Sequence, residues 1–114
     1  MKITDYSFGK IDIDGRAYTS DIIIYPQRVD SSWWRNEGHR LQIEDLHDVV
    51  EAKPNVVVIG TGYFGRMDVP DQTRTFLESH GIRVHSARTS EAVKLFNKLQ
   101  QDAATIVAAL HLTC

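Results

Sequence analysis

Hydrophobic and polar positions alternate along the first quarter of the chain. Tyr6 and Phe8 alternate, and after Gly9-Lys10 the pattern resumes at Ile11 and Ile13 in the opposite parity. A period of two predicts strands with one buried face. The parity change predicts a bulge or kink at Gly9, where no Cβ obstructs the bend. Asp14-Gly15 predicts a tight hairpin, because both central residues of such a turn need φ > 0. The return strand is expected through Tyr18, Ser20, Ile22 and Ile24, with Ile23 and Tyr25 on the other face. Pro26 removes a ladder donor and ends it.

The pattern then changes. Gln27–Arg40 is polar and irregular, punctuated by Gly38. Ile43, Leu46, Val49 and Val50 recur at helical spacing and predict a short amphipathic helix over Ile43–Ala52, stopped by Pro54. Val56–Ile59 is a continuous β-branched run, the pattern of a strand covered on both faces. A second helix is expected from Pro70 to Gly81, with Asp68 near its N-cap, Asp71 in its first turn, and Phe76 and Leu77 inward. Ile82–His85 is the next strand. Thr89 or Ser90 is expected to cap a third helix whose buried stripe is Ala92, Leu95, Phe96 and Leu99. Thr105–Leu110 is the last strand.

The order is a hairpin followed by α-β-α-β-α-β. Strand-helix-strand units give parallel strands with right-handed crossovers. The expected fold is therefore α/β: one three-layer domain over residues 1–114, with a mixed central sheet. Its parallel core comes from the strands near 56, 82 and 105, joined by the N-terminal hairpin.

Composition narrows the function. The 114 residues suit one domain, and a chain this long buries roughly two-thirds of its unfolded surface. Thirteen basic against fifteen acidic residues are mixed along the chain, leaving no basic stripe for a nucleic-acid backbone. The single cysteine, Cys114, has no internal disulfide partner. No apolar run approaches the ~18 residues of a membrane span. The first residues, Met1–Asp5, lack a secretory pattern. A cytoplasmic location is the expectation.

The strongest motif is Gly60-Thr-Gly-Tyr-Phe-Gly65, a GxGxxG string after a strand. In a dinucleotide fingerprint the helix opens within the motif, so that its N-terminal amides face the pyrophosphate. Here Pro70 places the helix start well beyond Gly65. The acidic residue expected ~20 positions on is missing too, since that stretch reads Val84-His-Ser-Ala-Arg88. No cofactor is expected. The glycines instead allow a sharp exit from a buried strand. The loops after Ile59 and His85 open on the strand edge where α/β domains bind ligands. Gly60, Thr61, Gly62, Arg88 and Thr89 are thus the ligand-binding candidates, with the Thr61 and Gly62 amides able to cradle an anion.

Asp12-Ile-Asp14-Gly15 begins like a calcium loop, but no further acids follow and the hairpin explains it. His39, His47, His80, His85 and His111 form no metal spacing, so no metal site is expected. His80 falls in the last turn of a helix, where a positive charge suits the dipole. His111 and Cys114 lie three apart in an extended segment and point to opposite faces. No catalytic constellation emerges. Trp33-Trp34-Arg35, with His39, is the most unusual stretch and the candidate partner surface, because Trp and Arg concentrate binding energy. The alternative is that the tryptophans cover one end of the sheet.

Val57-Val-Ile-Gly-Thr-Gly62, Gly81-Ile82, Thr89-x-x-Ala92-Val-x-x-x-Asn97 and Val107-Ala-Ala-Leu-His-Leu-Thr-Cys114 together resemble a small family of uncharacterised domains. It includes the adipogenesis-associated domain-containing protein and the mitochondrial complex I assembly factor. The hairpin and Ser20-Asp-Ile22 fit as well. The resemblance implies a three-layer α/β fold with a mixed sheet, and assembly or regulatory roles rather than a defined reaction. The expected function is a non-enzymatic binding or assembly module with a protein partner. The alternative is a small-molecule or anion-binding protein or enzyme using the edge formed by Gly60–Gly65 and Arg88–Thr89.

Overall fold

In the computed structural model, residues 1–102 and 105–114 are described. Among the described residues, eight strands and three α-helices follow one another. The strands are β1 (Ile3–Ser7), β2 (Lys10–Ile13), β3 (Arg16–Tyr18), β4 (Ile22–Ile24), β5 (Val29–Asp30), β6 (Val56–Thr61), β7 (Arg83–Ala87) and β8 (Ile106–His111). The helices are α1 (His47–Ala52), α2 (Asp71–Ser79) and α3 (Thr89–Leu99). The architecture is α/β, and the central five-stranded sheet is mixed, in the order β5-β4-β8-β6-β7. β6 runs parallel to β8, from Val56 opposite Ile106 to Thr61 opposite His111, and parallel to β7 on its other side. β4 is antiparallel to β8.

Two apolar layers enclose this sheet. On one face Ile22, Ile24, Val58, Ala108 and Leu110 meet Ala92 and Phe96 of α3 and Ile3, Ile11 and Ile13 of the small sheet. On the other, Ile23, Val57, Ile59, Val107 and Ala109 meet Val49 of α1, Leu77 of α2, and Trp33, Leu41 and Met67 from the loops. β6 and β8 are buried on both faces, as their unbroken apolar runs require.

The amino-terminal third departs from expectation. Ser7 pairs with Lys10, so Phe8-Gly9 is the turn of a first hairpin and not a kink within one strand. Gly9 takes φ +75°, which a side chain would disfavour, and its amide donates to Leu112 O. The Asp14-Gly15 turn forms as predicted, with φ of 52° and 84°. The return strand, however, stops at Tyr18, and β1-β2-β3 form a sheet of their own. Ile22, Ile23 and Ile24 are all buried, so this segment needs cover on both faces and joins the central sheet as β4. A strand half exposed to solvent could not hold it.

Smaller differences have local causes. The segment expected to be helical over Ile43–Ala52 begins as a 3-10 turn, Ile43–Leu46, before α1. The loop Gln27–Arg40 contains β5, which pairs with β4. Asp68 does not cap α2, because its backbone joins residues 39–41 through Asp68 N→His39 O and Leu41 N→Asp68 O. Pro70 occupies the N-cap. Arg88, not Thr89 or Ser90, is the N-cap of α3. α2 ends at Ser79 rather than Gly81, so His80 is its C-cap and not part of its last turn, and its Nδ1 lies 2.9 Å from Phe76 O.

Candidate functional site

β6 and β8 are parallel, so their C-terminal ends, Thr61 and His111, reach the same edge of the sheet. β4 is antiparallel and delivers its first residues there, preceded by Asp21. The Trp-Arg loop arrives through Trp33 N→Asp21 O. Residues scattered through the sequence therefore converge on His111.

The His111 side chain carries the densest polar chemistry of this edge. Asp21 Oδ2 lies 2.7 Å from His111 Nδ1 and 2.8 Å from Arg35 Nη2. Arg35 Nη2 also donates to Gly38 O, and the Leu112 amide donates to Asp21 Oδ1. The Arg35 guanidinium lies 4.7 Å from the centre of the Trp33 ring. His39 meets His111 edge to face, with ring centres 6.0 Å apart. Burial pushes the Asp21 carboxyl up. Hydrogen bonds from His111 and the Leu112 amide, the His111 charge and the bond from Arg35 outweigh it, so the carboxyl sits below its usual range. The Asp21–His111 pair resembles an oriented imidazole, yet Nε2 is buried and makes no hydrogen bond among the described residues. Arg35 Nε and Nη1 are in the same state. As arranged, the cluster clamps β4, the Trp-Arg loop and the end of β8 together.

The glycine loop meets the other side of His111. Thr89 Oγ1 donates to His111 O at 2.6 Å and accepts the Gly62 amide at 2.9 Å. Thr89 N donates back to Gly62 O, and Thr61 Oγ1 donates to Ala87 O. A Cβ on Gly60 would lie 2.7 Å from Thr89 Oγ1 and 2.8 Å from Leu110 Cδ2, so α3 packs here only because Gly60 lacks one. The segment after β8 fills the space over the loop. Tyr63 N donates to Thr113 O and Arg66 N to Cys114 O, while Gly62, at φ +109°, has no room for a Cβ beside that backbone. Tyr6 OH donates to Leu112 O at 2.8 Å. Burial pushes the Tyr6 phenol up to about 12; a hydrogen bond with Thr89 works against it, and the charges of Tyr63 and Asp21 add smaller raising contributions.

The candidates from the sequence thus gather at one edge but play different parts. Gly60, Gly62 and Thr89 are buried packing and hydrogen-bonding elements, Thr61 is half-buried, and Arg88 is exposed beside Gly65. The Gly62 amide, expected to face an anion, is engaged by Thr89. Of the partner-surface residues, Trp34 is 74% exposed and His39 is exposed, whereas Trp33 and Arg35 are buried and hold the loop in place. Trp33 Nε1 donates to Asp45 O, so it covers the end of the sheet. His47, Asp48 and Glu51, which the sequence reading left unconnected, place ligand atoms within 4.8 Å of one another on the exposed face of α1.

The sequence reading also missed an exposed aromatic cluster. Phe8, at the first hairpin turn, packs against Tyr63 and Phe64 of the glycine loop, with ring centres 5.8 Å and 6.2 Å away. Tyr63 and Phe64 lie 5.1 Å apart, and Tyr6 backs Tyr63 at 6.4 Å. Phe8, Tyr63 and Phe64 are 52%, 45% and 56% exposed. Two adjacent aromatic residues inside a glycine loop were the available signal.

Fold and edge together define a three-layer α/β protein whose strand-end crevice is closed by its own chain and rimmed by exposed aromatic rings. The chain belongs to the family described as a protein of unknown function (DUF498/DUF598), which matches residues 3–111. It is similar over its whole length to a conserved hypothetical protein from Pyrococcus horikoshii OT3, at 30% identity and a TM-score of 0.84, covering 100% of both chains. A structure described as an outer membrane protein from Bartonella henselae shares the fold at 24% identity and a TM-score of 0.81, over 98% of this chain and 94% of that one. A Bordetella pertussis protein described as a Mth938-like domain shares it at 20% identity and a TM-score of 0.78, over 97% and 85%. No helix among the described residues is long and apolar enough to cross a membrane.

Proposed function

We propose that this chain is a non-enzymatic binding or assembly module whose protein partner docks on Phe8, Tyr63 and Phe64. One observation carries the reading: three large, half-exposed aromatic rings from two separate parts of the chain pack edge-on or tilted against one another at the surface. Aromatic side chains are enriched in interface cores and dominate binding energy. Mutual packing holds these rings in place before a partner arrives, which lowers the entropy lost on binding. His39, edge to face with His111, lies at the same strand edge. The resemblance to the family containing the adipogenesis-associated domain-containing protein and the mitochondrial complex I assembly factor supports an assembly role. The proposal places the module in the cytoplasm, where its lone Cys114 stays reduced. The alternative, a ligand edge at Gly60–Gly65 with Arg88 and Thr89, would first have to displace the Leu112–Cys114 segment and free the Gly62 amide.

The test compares immobilised wild type with the Phe8→Ser/Phe64→Ser variant. Both changes are at the surface, so each is expected to alter stability by no more than about 0.5 kcal/mol. Proteins retained by wild type in an amount comparable to the bait, and lost with the variant, support the reading. Equal retention by both opposes it. So does stabilisation by a nucleotide or metabolite, which at a hundred times its dissociation constant adds about 2.7 kcal/mol.

A further inference from the structure

β7 is an outer strand of the central sheet, with β6 as its only neighbour among the described residues. Arg83 N donates to Asn55 O, so Arg83 turns its backbone toward β6. In a parallel ladder alternate residues face the same neighbour. His85 and Ala87 therefore face β6 as well, whereas Val84 and Ser86 turn their backbone groups outward. On that outer side Arg74 of α2 donates from Nη1 to Val84 O at 3.2 Å and from Nη2 to Ser86 Oγ at 2.8 Å. The Val84 and Ser86 amides and the Ser86 carbonyl have no hydrogen-bond partner there among the described residues. Such a row of free backbone groups is a template for another strand. The opposite border of the sheet offers far less, because β5 is only Val29-Asp30. β7 has five residues, no proline, and a register with β6 that is unbroken by a bulge.

The charge along β7 is one-sided. No Asp or Glu stands between Glu78 and Glu91, a stretch that holds Arg83, His85 and Arg88, although acids outnumber Lys and Arg by 15 to 13 in the whole chain. Arg83 and Arg88 are exposed and Arg74 is half-buried. Among the described residues none of these three arginines has a carboxylate within salt-bridge distance, and Glu91 pairs with Lys94 instead. The cations stand on both faces of the sheet. Val84 belongs to the layer packed on α1 and α2, so Arg83 projects from the other face, while Arg74 reaches over from α2.

We propose that β7 takes up an extended acidic segment of another protein as a sixth strand of the central sheet. The main chain of that segment pairs with Val84 and Ser86, and one of its amides replaces the Arg74 guanidinium at Val84 O. Its side chains alternate between the two faces, so its carboxylates meet Arg83 on one and the released Arg74 on the other. Arg88 receives a further acid just past the end of β7. A second copy of this chain is the poorer occupant, because its own β7 would set like charges against these arginines.

The probe is a short fluorescein-labelled peptide in which pairs of glutamates alternate with single valines, so that both faces of an added strand carry acids. Two controls replace every glutamate by lysine, or every valine by proline, which keeps the charge but removes the pairing amides. Each is titrated into the full-length chain at low ionic strength and followed by anisotropy. The acidic peptide is expected to saturate, and both controls to bind at least ~tenfold more weakly. Arg83→Glu/Arg88→Glu, at two exposed positions, is expected to melt as wild type does and to lose the peptide by a similar factor. Amide exchange separates strand addition from mere adhesion to arginines. Val84 and Ser86 should slow when the peptide binds, while Arg83 and His85, already facing β6, stay unchanged. No saturation by ~1 mM peptide, equal binding of either control, or unchanged exchange at Val84 and Ser86 overturns the proposal. So does protection of these two amides that rises with protein concentration alone, which gives β7 to a second copy. The Phe8→Ser/Phe64→Ser variant is expected to bind the peptide as wild type does. Loss of binding there would move the peptide to the aromatic cluster and overturn the assignment to β7, so this proposal stands or fails separately from the partner at Phe8, Tyr63 and Phe64.

Discussion

Asp21 is a half-buried carboxylate that holds three elements at once, and its surroundings dictate what its loss would do. It neutralises Arg35, whose side chain is 4% exposed, orients His111 and accepts the Leu112 amide. Asp21→Asn leaves the guanidinium charge buried without its counter-ion, so the variant is expected to lose about 3 kcal/mol near neutral pH. The carboxyl is lowered in the folded chain relative to the unfolded value of ~3.9. Its stabilisation is fully present above that value and is lost as pH falls through the folded one. Unfolding curves of wild type and variant should therefore converge below about pH 4. A constant gap across that range would show that the carboxylate charge is not what stabilises the edge. Little of this was legible beforehand. Trp33-Trp34-Arg35 stood out by composition, but residue type does not say which side chain turns inward. That depended on Asp21, an unremarked acid between Ser20 and Ile22, whose partners lie 14 and 90 residues away.

At the scale of elements, the continuous apolar runs were the readable part. Val56–Ile59 and Ile106–Leu110 announced buried parallel strands because nothing else accommodates β-branched residues on both faces. The Asp14-Gly15 turn was equally plain. The amino-terminal strands were harder, since alternation shows that a strand has one buried face but not which sheet it joins. Three buried isoleucines in a row at Ile22–Ile24 were the clue that β4 leaves the hairpin for the central sheet. Beyond their shared apolar core, one side chain hydrogen-bonds the small sheet to α3: Asn97 Oδ1 accepts the Ile3 amide at 3.0 Å and Asn97 Nδ2 donates to Ile3 O at 2.7 Å. Asn97→Ala is expected to cost about 1–2 kcal/mol by leaving both groups of a buried residue unpaired. Amide exchange should rise in β1 and β2 while β6 and β8 keep their protection. A uniform rise would mean that the two sheets open as one unit.

On the scale of the whole molecule, the glycine loop changes meaning. As a string it imitates a cofactor fingerprint; in the fold it lets α3 approach β6 at Gly60, receives the Leu112–Cys114 segment at Gly62, and lifts Tyr63 and Phe64 into solvent beside Phe8. The edge was legible from strand order, because loops after parallel strands share one end of a sheet. Its closure was not, since the closing segment is joined to it only through tertiary hydrogen bonds. The central claim is that the aromatic cluster over this closed edge is where a partner docks. A photo-crosslinking amino acid at position 64, compared with one at exposed Lys94 on α3, tests it most directly in living cells. The account predicts a discrete crosslinked protein from position 64 that disappears with Phe8→Ser and is absent from position 94. No adduct at position 64, or the same adducts from both positions, would contradict it.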